Sequence, residues 1–322
     1  MKAIVYRKYG SPEELQLSEI EKPVPNDHEI LVKVHAASVN SWDWDLLLGK
    51  PLIYRLMFGI FKPKYPVIGS DIAGRVVEVG AKVTDFKVGD DVFGDLSGNG
   101  FGAFAEYASA RAMVMALKPA NITFATAAAI PQAGILALQG LHHRGNIIAK
   151  GQKILINGAG GGVGTFAIQI AKTFGAEVTA VDSSLKQELM RSLGADHVID
   201  YAKEDFTKMA NRYDLVLDMV FNRPVAHAKS ILNPGGKYVI IGGEPGRLFK
   251  LMIGGIFAKN PKKSVSVLMY KPNRKDLVFL LRLIDEGRIK PVIEKRFPLN
   301  QTADAVRHLG QMKAQGKIVI SI

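Results

Sequence analysis

INGAGGGVG, residues 156–164, places five glycines and one alanine in nine positions directly after an apolar run. Glycine loses more conformational freedom on folding than any other residue, so a cluster of it implies a role that side chains would obstruct. The run at 153–157 reads as a buried strand, and 164–174 reads as a helix stopped by Gly175. A strand, a bare turn and a helix start form an anion-binding device, because the opening N–H groups of a helix have no acceptor of their own.

The spacing is specific. With Gly158 at the head of the turn, Ala159, Gly161 and Gly164 occupy the three positions of the dinucleotide fingerprint. The first permits the tight turn, the second lets backbone approach a pyrophosphate, and the third lets the helix lie close on the sheet. Asp182 ends the next strand, 177–182, and lies 18 residues beyond Gly164, where a ribose-binding carboxylate is expected. The implied cofactor is NAD(P)H. A carboxylate facing a 2′-phosphate costs up to about 4 kcal/mol at 4 Å and an effective dielectric of 20, which favours NADH over NADPH. Ser183 and Lys186 stand near enough in sequence to receive a phosphate.

Outward from the turn, strands and helices alternate: a helix at 185–193 ended by Gly194, then strands at 197–200, 213–220 and 237–241. Such alternation predicts a parallel sheet covered on both faces. Upstream, the first 120 residues or so read as short strands separated by Gly69, Gly74, Gly80, Gly89 and Gly94, the texture of a Greek-key or partly open barrel. Residues 125–141 read as an alanine-rich helix that Pro131 bends or interrupts. Amphipathic helices at 277–286 and 302–314 and a strand at 317–322 return the chain to the first domain.

Composition narrows the class. The 322 residues are 48% hydrophobic and 22% charged, as in a packed protein of two domains. Without cysteine there is no disulfide and no thiolate-bound zinc. The net charge of +12 is spread along the chain, which points to an anionic cofactor or a lipid surface and away from nucleic acid. The opening MKAIVYRKYG reads as a strand, not a signal peptide, and no apolar run reaches the roughly 18 residues of a membrane span. A cytoplasmic location is expected, with peripheral membrane contact through two basic, apolar segments at 51–66 and 246–263. The plainer reading of those segments is cleft walls or an oligomer interface.

The stretches AASVNSWDW (36–44), YPVIGSDIAGRVVEVG (65–80), GDDVFG (89–94), GAFAEY (102–107), INGAGGGVGTFAIQIAK (156–172), LGADHVIDY (193–201), NPGGKYVIIGG (233–243) and GKIVI (316–320) carry a resemblance. The chain resembles the medium-chain dehydrogenase/reductase superfamily, in its zinc-independent quinone oxidoreductase branch, which includes the chloroplast-envelope quinone oxidoreductase homologues. The resemblance implies an α/β fold. A GroES-like β-barrel catalytic domain, 1–124 and 268–322, would be interrupted by a doubly wound Rossmann domain, 125–267, with the active site in the cleft between them and a homodimer as the assembly. Zinc relatives carry a cysteine near Asn40 and a His–Glu pair near Ser70 and Asp71; this sequence has neither. His142 and His143 read as surface or interdomain residues.

By the same resemblance, Asn40 stands beside the nicotinamide ribose or the substrate oxygen as an amide donor, Asp43 fixes its loop or acts in catalysis, and Ser70 offers a hydroxyl. Gly161, Gly162 and Val163 face the pyrophosphate, Tyr201 flanks the adenosine ribose, and Val220, Ile241, Gly242 and Gly243 approach the nicotinamide. Lys317 reaches back to a phosphate, or else is a solvated edge-strand lysine. Tyr54 is a candidate proton source on its phenol alone. Three residues depart from the branch: Ser41 replaces a proline, Leu136 a threonine and Phe221 a glycine, the last two reshaping the nicotinamide pocket.

A metal-free site suits activated acceptors. The expected activity is therefore hydride transfer from NAD(P)H to a quinone or an α,β-unsaturated carbonyl, a lipophilic small molecule. The rivals are a nucleotide-binding sensor or membrane-associated adaptor with little turnover and, more remotely, an alcohol dehydrogenase.

Overall fold

The computed structural model describes residues 1–50, 52–98, 100–142, 148–243 and 263–322. The chain divides into two compact units. The first comprises Met1–Ile135, Pro272–Arg282 and Pro291–Ile322, and the second Leu136–Lys271 and Leu283–Lys290.

In the first unit, β1 (Lys2–Val5) and β2 (Gln16–Glu19) form an antiparallel pair. β3 (Glu29–Val39) is long enough to share one edge between two partners. It is followed by α1 (Ser41–Leu48), α2 (Leu52–Phe58), β4 (Asp71–Val79), β5 (Asp91–Asp95), β6 (Tyr107–Arg111), β7 (Met115–Leu117), α3 (Phe124–Ala128) and α4 (Pro131–Leu141). Pro131 opens α4, so the alanine-rich stretch is two helices, with the proline at the first position, where its missing N–H costs nothing.

In the second unit the order is β8 (Lys153–Asn157), α5 (Gly162–Thr173), β9 (Glu177–Asp182), α6 (Gln187–Ser192), β10 (His197–Asp200), β11 (Tyr213–Asp218), α7 (Val225–Ser230), β12 (Leu232–Ile240) and β13 (Ser264–Val267). The chain ends with α8 (Arg274–Asp285), β14 (Ile293–Pro298), α9 (Thr302–Gly310) and β15 (Lys317–Ser321).

The first unit's large sheet runs β14–β15–β3–β4–β5–β7, with β6 also on β3. One edge of β3 holds β4, while the other holds β6 at Glu29–Lys33 and β15 at Ala36–Val39. Register shifts against β4 at Leu31/Val32 and Val34/Ala36 bend the strand, as extra residues in a ladder do. Ile30, Val32, Val34, Ile72 and Val76 fill the core beneath it. The C-terminal strand therefore returns to the N-terminal sheet, as the amphipathic pattern predicts.

The second unit's sheet is wholly parallel, in the order β10–β9–β8–β11–β12–β13. Ile154, Leu155 and Ile156 of β8 are all fully buried, as a strand covered on both faces requires. The order reverses at β8, and ligands of such sheets bind outside the carboxyl ends of the strands at that switch. The glycine-rich turn leaves the carboxyl end of β8. The first unit is the GroES-like part of the chain and the second the Rossmann-like part. Among the described residues no helix is long and apolar enough to cross a membrane.

Candidate active site

The turn after β8 shows which of its glycines serve packing and which do not. Gly158 has φ +83°, a left-handed conformation that disfavours a side chain. A Cβ on Gly164 would collide with Gly158 O and stand 2.5 Å from Ala159 Cα, so the helix start is pressed against the strand end. Ala159 is fully buried at the same contact. Gly161 is different: its extended backbone has room, with Gly158 O at 3.5 Å the nearest neighbour of a Cβ built there. Packing does not account for that glycine, whereas a ligand that must lie close to main chain does. Gly161 caps α5 without a side chain, and the N–H groups of Gly162, Val163 and Gly164 open the helix. The cradle fits a pyrophosphate.

Asp182 lies beside this turn. Its Oδ2 accepts the Gly160 N–H at 2.9 Å and its Oδ1 accepts the Ser183 N–H at 2.8 Å. Lys186 Nζ stands 3.2 Å from Oδ1, and both side chains are buried. Tyr201, which follows β10, donates its N–H to Asp182 O and is itself 56% exposed. Val220 borders the turn, its Cγ2 lying 3.0 Å from where a Gly158 Cβ would be.

The structure also adds a residue that sequence reading missed. Asp218, at the end of β11, accepts from Tyr238 Oη at 2.5 Å, Asn157 Nδ2 at 2.8 Å and the Val220 N–H at 2.9 Å. Its main-chain oxygen accepts the N–H groups of Ile241 and Gly242. Burial pushes its carboxyl up from the ordinary range despite these donors, and burial together with the neighbouring carboxylate pushes the Tyr238 phenol up. One aspartate thus gathers Val220, Ile241 and Gly242, and the signal for it was a lone acid ending an apolar strand. Gly243, at φ +148°, approaches Phe221 O too closely for a side chain. Phe221 is 1% exposed and packs edge-on against Tyr238 at 6.0 Å. It belongs to the core of the second unit. His142 is partly buried, edge-on to Phe174 at 5.3 Å. His143 lies outside the described residues.

In the first unit, Asn40, Asp43 and Ser70 come together. Asn40 precedes α1, and Asp43 at the third helical position accepts the Asn40 N–H at 2.8 Å and the Gly69 N–H at 3.1 Å. That bond caps the helix and joins it to the segment entering β4. Asp43 has no exposed surface, and burial raises its carboxyl to about 7. Asn40 Nδ2 donates to Ser70 Oγ at 3.2 Å and to Asp71 Oδ2 at 3.0 Å. Gln132 adds two bonds, its Nε2 to Ser70 Oγ and its N–H to Asp71 Oδ1. Ser38 Oγ donates to Asp71 Oδ2 as well.

Lys317 is not the solvated edge-strand lysine that was one of its two expectations. β15 lies between β14 and β3, so the residue is neither on an edge nor solvated; it is 2% exposed. Its ammonium donates to Asn40 Oδ1 at 2.5 Å and to Val39 O at 3.3 Å, and lies 3.4 Å from Asp71 Oδ2. An ammonium only donates and a carboxylate only accepts, so this pair fixes the Asn40 amide: oxygen toward Lys317, nitrogen toward Asp71. Both amide hydrogens are then engaged inside the cluster. Ser70 Oγ, accepting from two amides, retains its own hydrogen as a donor. Lys317 was named from the sequence, but its pairing with Asn40 was not, because the two lie 277 residues apart.

Aromatic rings pack nearby on the same unit. Trp42, Phe58 and Tyr65 each meet Phe101 with centroids 5.8–5.9 Å apart. Phe101 sits at φ +67° between two left-handed glycines, an unusual backbone for a large side chain. Burial raises Asp45 to about 7 and Tyr54 to about 12, so Tyr54 holds its proton at neutral pH.

Three family models match the chain. The alcohol dehydrogenase GroES-like domain covers residues 26–120, the zinc-binding dehydrogenase family 193–320, and the C-terminal domain of alanine dehydrogenase/PNT 137–222. The chain is 36% identical to 2-methylene-furan-3-one reductase of Solanum lycopersicum over 99% of its own length and 79% of that protein. The chain belongs to the medium-chain dehydrogenase/reductase superfamily. This medium-chain reductase falls in the quinone oxidoreductase-like branch: it is 33% identical to the chloroplast envelope quinone oxidoreductase homolog of Arabidopsis thaliana, covering 99% of this chain and 98% of the other. Its fold matches the quinone oxidoreductase of Coxiella burnetii at a TM-score of 0.89 and 28% identity, over 100% of this chain and 99% of that one. The Escherichia coli quinone oxidoreductase complexed with NADPH matches at 0.83 and 26%, over the whole of both chains. One matching family is named for zinc, but this reductase lacks the ligands. It has no cysteine, and among the described residues no three His, Asp or Glu side chains gather as a metal-holding group.

Proposed function

We propose that this chain is a zinc-independent NAD(P)H-dependent reductase of quinones and α,β-unsaturated carbonyls. The observation that carries the reading is the bare turn at 158–164, at the switch point of a parallel sheet, beside a buried acid. The relatives' names support the acceptor class. Bound NAD(P)H supplies a hydride. The chain's part is to hold the diphosphate on the N–H groups of residues 162–164, to meet the adenosine ribose with Asp182, Ser183, Lys186 and Tyr201, and to border the nicotinamide with Val220, Ile241, Gly242 and Gly243.

In the first unit, Ser70 offers its hydroxyl to the acceptor oxygen; Asn40, whose amide hydrogens go to Ser70 and Asp71, positions that hydroxyl, and Asp43 holds their loop. Lys317 belongs in this reading to the Asn40 cluster and not to a phosphate. The Ser70 hydroxyl, with the Lys317 ammonium behind it partly balanced by Asp71, favours the negative charge that develops on an enolate or hydroquinone oxygen. We assign the catalytic part to residues 1–124 and 268–322 and the cofactor part to 125–267, with NADH the preferred form and a cytoplasmic homodimer the assembly.

The lipophilic acceptor class has a counterpart on α2 and the residues after it. Leu52, Leu56, Met57, Ile60 and Phe61 are 55–94% exposed there. Lys50, Arg55, Lys62 and Lys64 accompany them, and no acid occurs between Asp45 and Asp71. An apolar face with unopposed positive charge suits an anionic membrane surface. Residues 246–262 of the second basic segment lie outside the described residues.

The test is steady-state oxidation of NADH and NADPH with a panel of quinones and enals. Turnover is expected with these acceptors and not with simple alcohols in reverse. Binding of the dinucleotides with no turnover across the panel would turn the reading toward a nucleotide-binding adaptor.

A further inference from the structure

A ring on a strained backbone stands in the loop that embraces Ser70. Phe101 keeps φ +67°, a left-handed conformation in which a bulky side chain is an outlier. Glycine holds such an angle without cost, as Gly100 and Gly102 do on either side. A phenylalanine kept there is explained by what its ring touches. Its main chain is tied to the polar cluster in two steps: the Phe101 N–H donates to Leu96 O at 3.4 Å, and the Leu96 N–H donates to Ser70 O at 2.8 Å. The other limb of the loop closes in the same way, with the Ala103 N–H on Gly69 O at 3.0 Å. The Phe101 ring is 6% exposed and meets Trp42, Phe58 and Tyr65 steeply, at interplanar angles of 89°, 72° and 67°. Those three rings are only partly buried. Trp42 is the second residue of α1, the helix that Asn40 caps. A steep contact engages at most one face of each ring, so the three outer rings retain π surface for a further ring.

We infer that Phe101 determines acceptor specificity by setting Trp42 as a wall beside Ser70, against which a conjugated ring of the acceptor stacks. The site then takes ring-bearing acceptors, quinones and aryl-substituted enones, in preference to short aliphatic enals and enones. This deepens the acceptor site proposed above and rests on it. The Ser70 hydroxyl fixes one point of the acceptor, its oxygen, and leaves the molecule free to turn about that bond. A ring conjugated with the carbonyl is coplanar with it, so a wall that holds the ring also fixes the plane of the reacting carbon. Removing that rotation brings the acceptor closer to the geometry of reaction. An aliphatic enal has no ring to offer the wall and keeps its freedom. Phe101 acts through Trp42 and is in that sense a positioning residue. The alternative is a satellite of the hydrophobic core, in which the four rings only pack on one another. Loss of one ring would then lower stability and slow all acceptors alike.

The test compares two enones that differ only in the group on the β-carbon, 4-phenyl-3-buten-2-one and 3-penten-2-one. Steady-state kcat/KM is measured for each with the wild type, Trp42→Leu, Phe101→Leu and Phe101→Tyr, and thermal unfolding of each protein is recorded alongside. The intrinsic reactivities of the enones cancel when the phenyl-to-methyl ratio is compared between proteins. That ratio is expected to fall roughly tenfold in Trp42→Leu and in Phe101→Leu, about 1.4 kcal/mol, the order of one aromatic pair. The fall should lie mainly in the KM of the phenyl enone, and Phe101→Tyr should keep the wild-type ratio. A ratio unchanged in both leucine variants, whatever their stability, overturns the wall. Should Phe101→Leu fail to fold, Trp42→Leu decides by itself. Binding of the saturated ketone 4-phenyl-2-butanone, followed by calorimetry, reads the wall without turnover: weaker binding to Trp42→Leu than to the wild type supports it, and equal binding overturns it. A wild type that binds this ketone but reduces neither enone is a different result, and it removes the proposed reaction while leaving the wall in place.

Discussion

Asp43 has no exposed surface, caps α1 and carries a carboxyl raised to about 7 from the usual 3.8. The native state therefore keeps a proton that the unfolded chain releases. The stability this contributes is fully present below about pH 4 and is lost as the pH rises through about 7. Asp43→Asn removes the titration and leaves one of two N–H groups without an acceptor, at a cost of about 1–2 kcal/mol. In urea unfolding, the variant's deficit against the wild type should be larger at pH 5 than at pH 8; equal deficits would contradict the assignment. At this scale the motif residues were legible. Asn40, Asp43 and Ser70 sit in the quoted family stretches, and the structure brings them together. Asp218 and the partners of Lys317 were not, because the groups concerned lie far away in sequence or on the main chain, where a string of letters carries no distance. The sequence did not show that Phe221 packs on Tyr238, 17 residues away.

Among the elements, α2 stands apart. Most helices here bury an apolar stripe, as α5 does with Phe166, Ile168 and Ile170, while α2 and its exit leave five large apolar side chains exposed beside lysines. If that face meets anionic lipid, the protein sediments with phosphatidylglycerol-containing vesicles at low salt and is released as salt rises. Phe61, at 94% exposure, can be changed without touching the core. Phe61→Glu should lower the partition roughly tenfold or more, since burying a phenylalanine side chain is worth about 1.5–3 kcal/mol. Equal sedimentation with neutral vesicles, or none at low salt, would contradict the lipid reading. Element boundaries were read well wherever periodicity was unbroken: 153–157, 177–182 and 197–200 are the observed strands β8, β9 and β10. They were read poorly where the break is local. Pro131, expected to bend or interrupt the stretch 125–141, interrupts it into α3 and α4, and the expected helix at 185–193 begins as a single tight turn, Ser184–Lys186, before α6. That turn aims Lys186 at Asp182, and four-residue spacing alone did not announce it.

For the molecule as a whole, order along the chain carried the fold. A strand-rich N-terminal stretch, a strand–helix alternation and a returning tail imply an interrupted first unit, and β15 pairing with β3 closes it. The chemistry is divided in the same way, a diphosphate cradle in one unit and a cation-centred polar cluster in the other. The claim uniting them is hydride transfer without a metal, and isotope transfer reads it directly. The protein is incubated with an α,β-unsaturated carbonyl and NADH or NADPH carrying deuterium at the transferable position of C4, and the product is analysed by mass spectrometry and NMR. The account predicts a saturated product with deuterium bound to the carbon that was β to the carbonyl, formed without added metal and undiminished by a chelator. A product without deuterium, or a cofactor left unconsumed in the presence of enals and quinones alike, would contradict it.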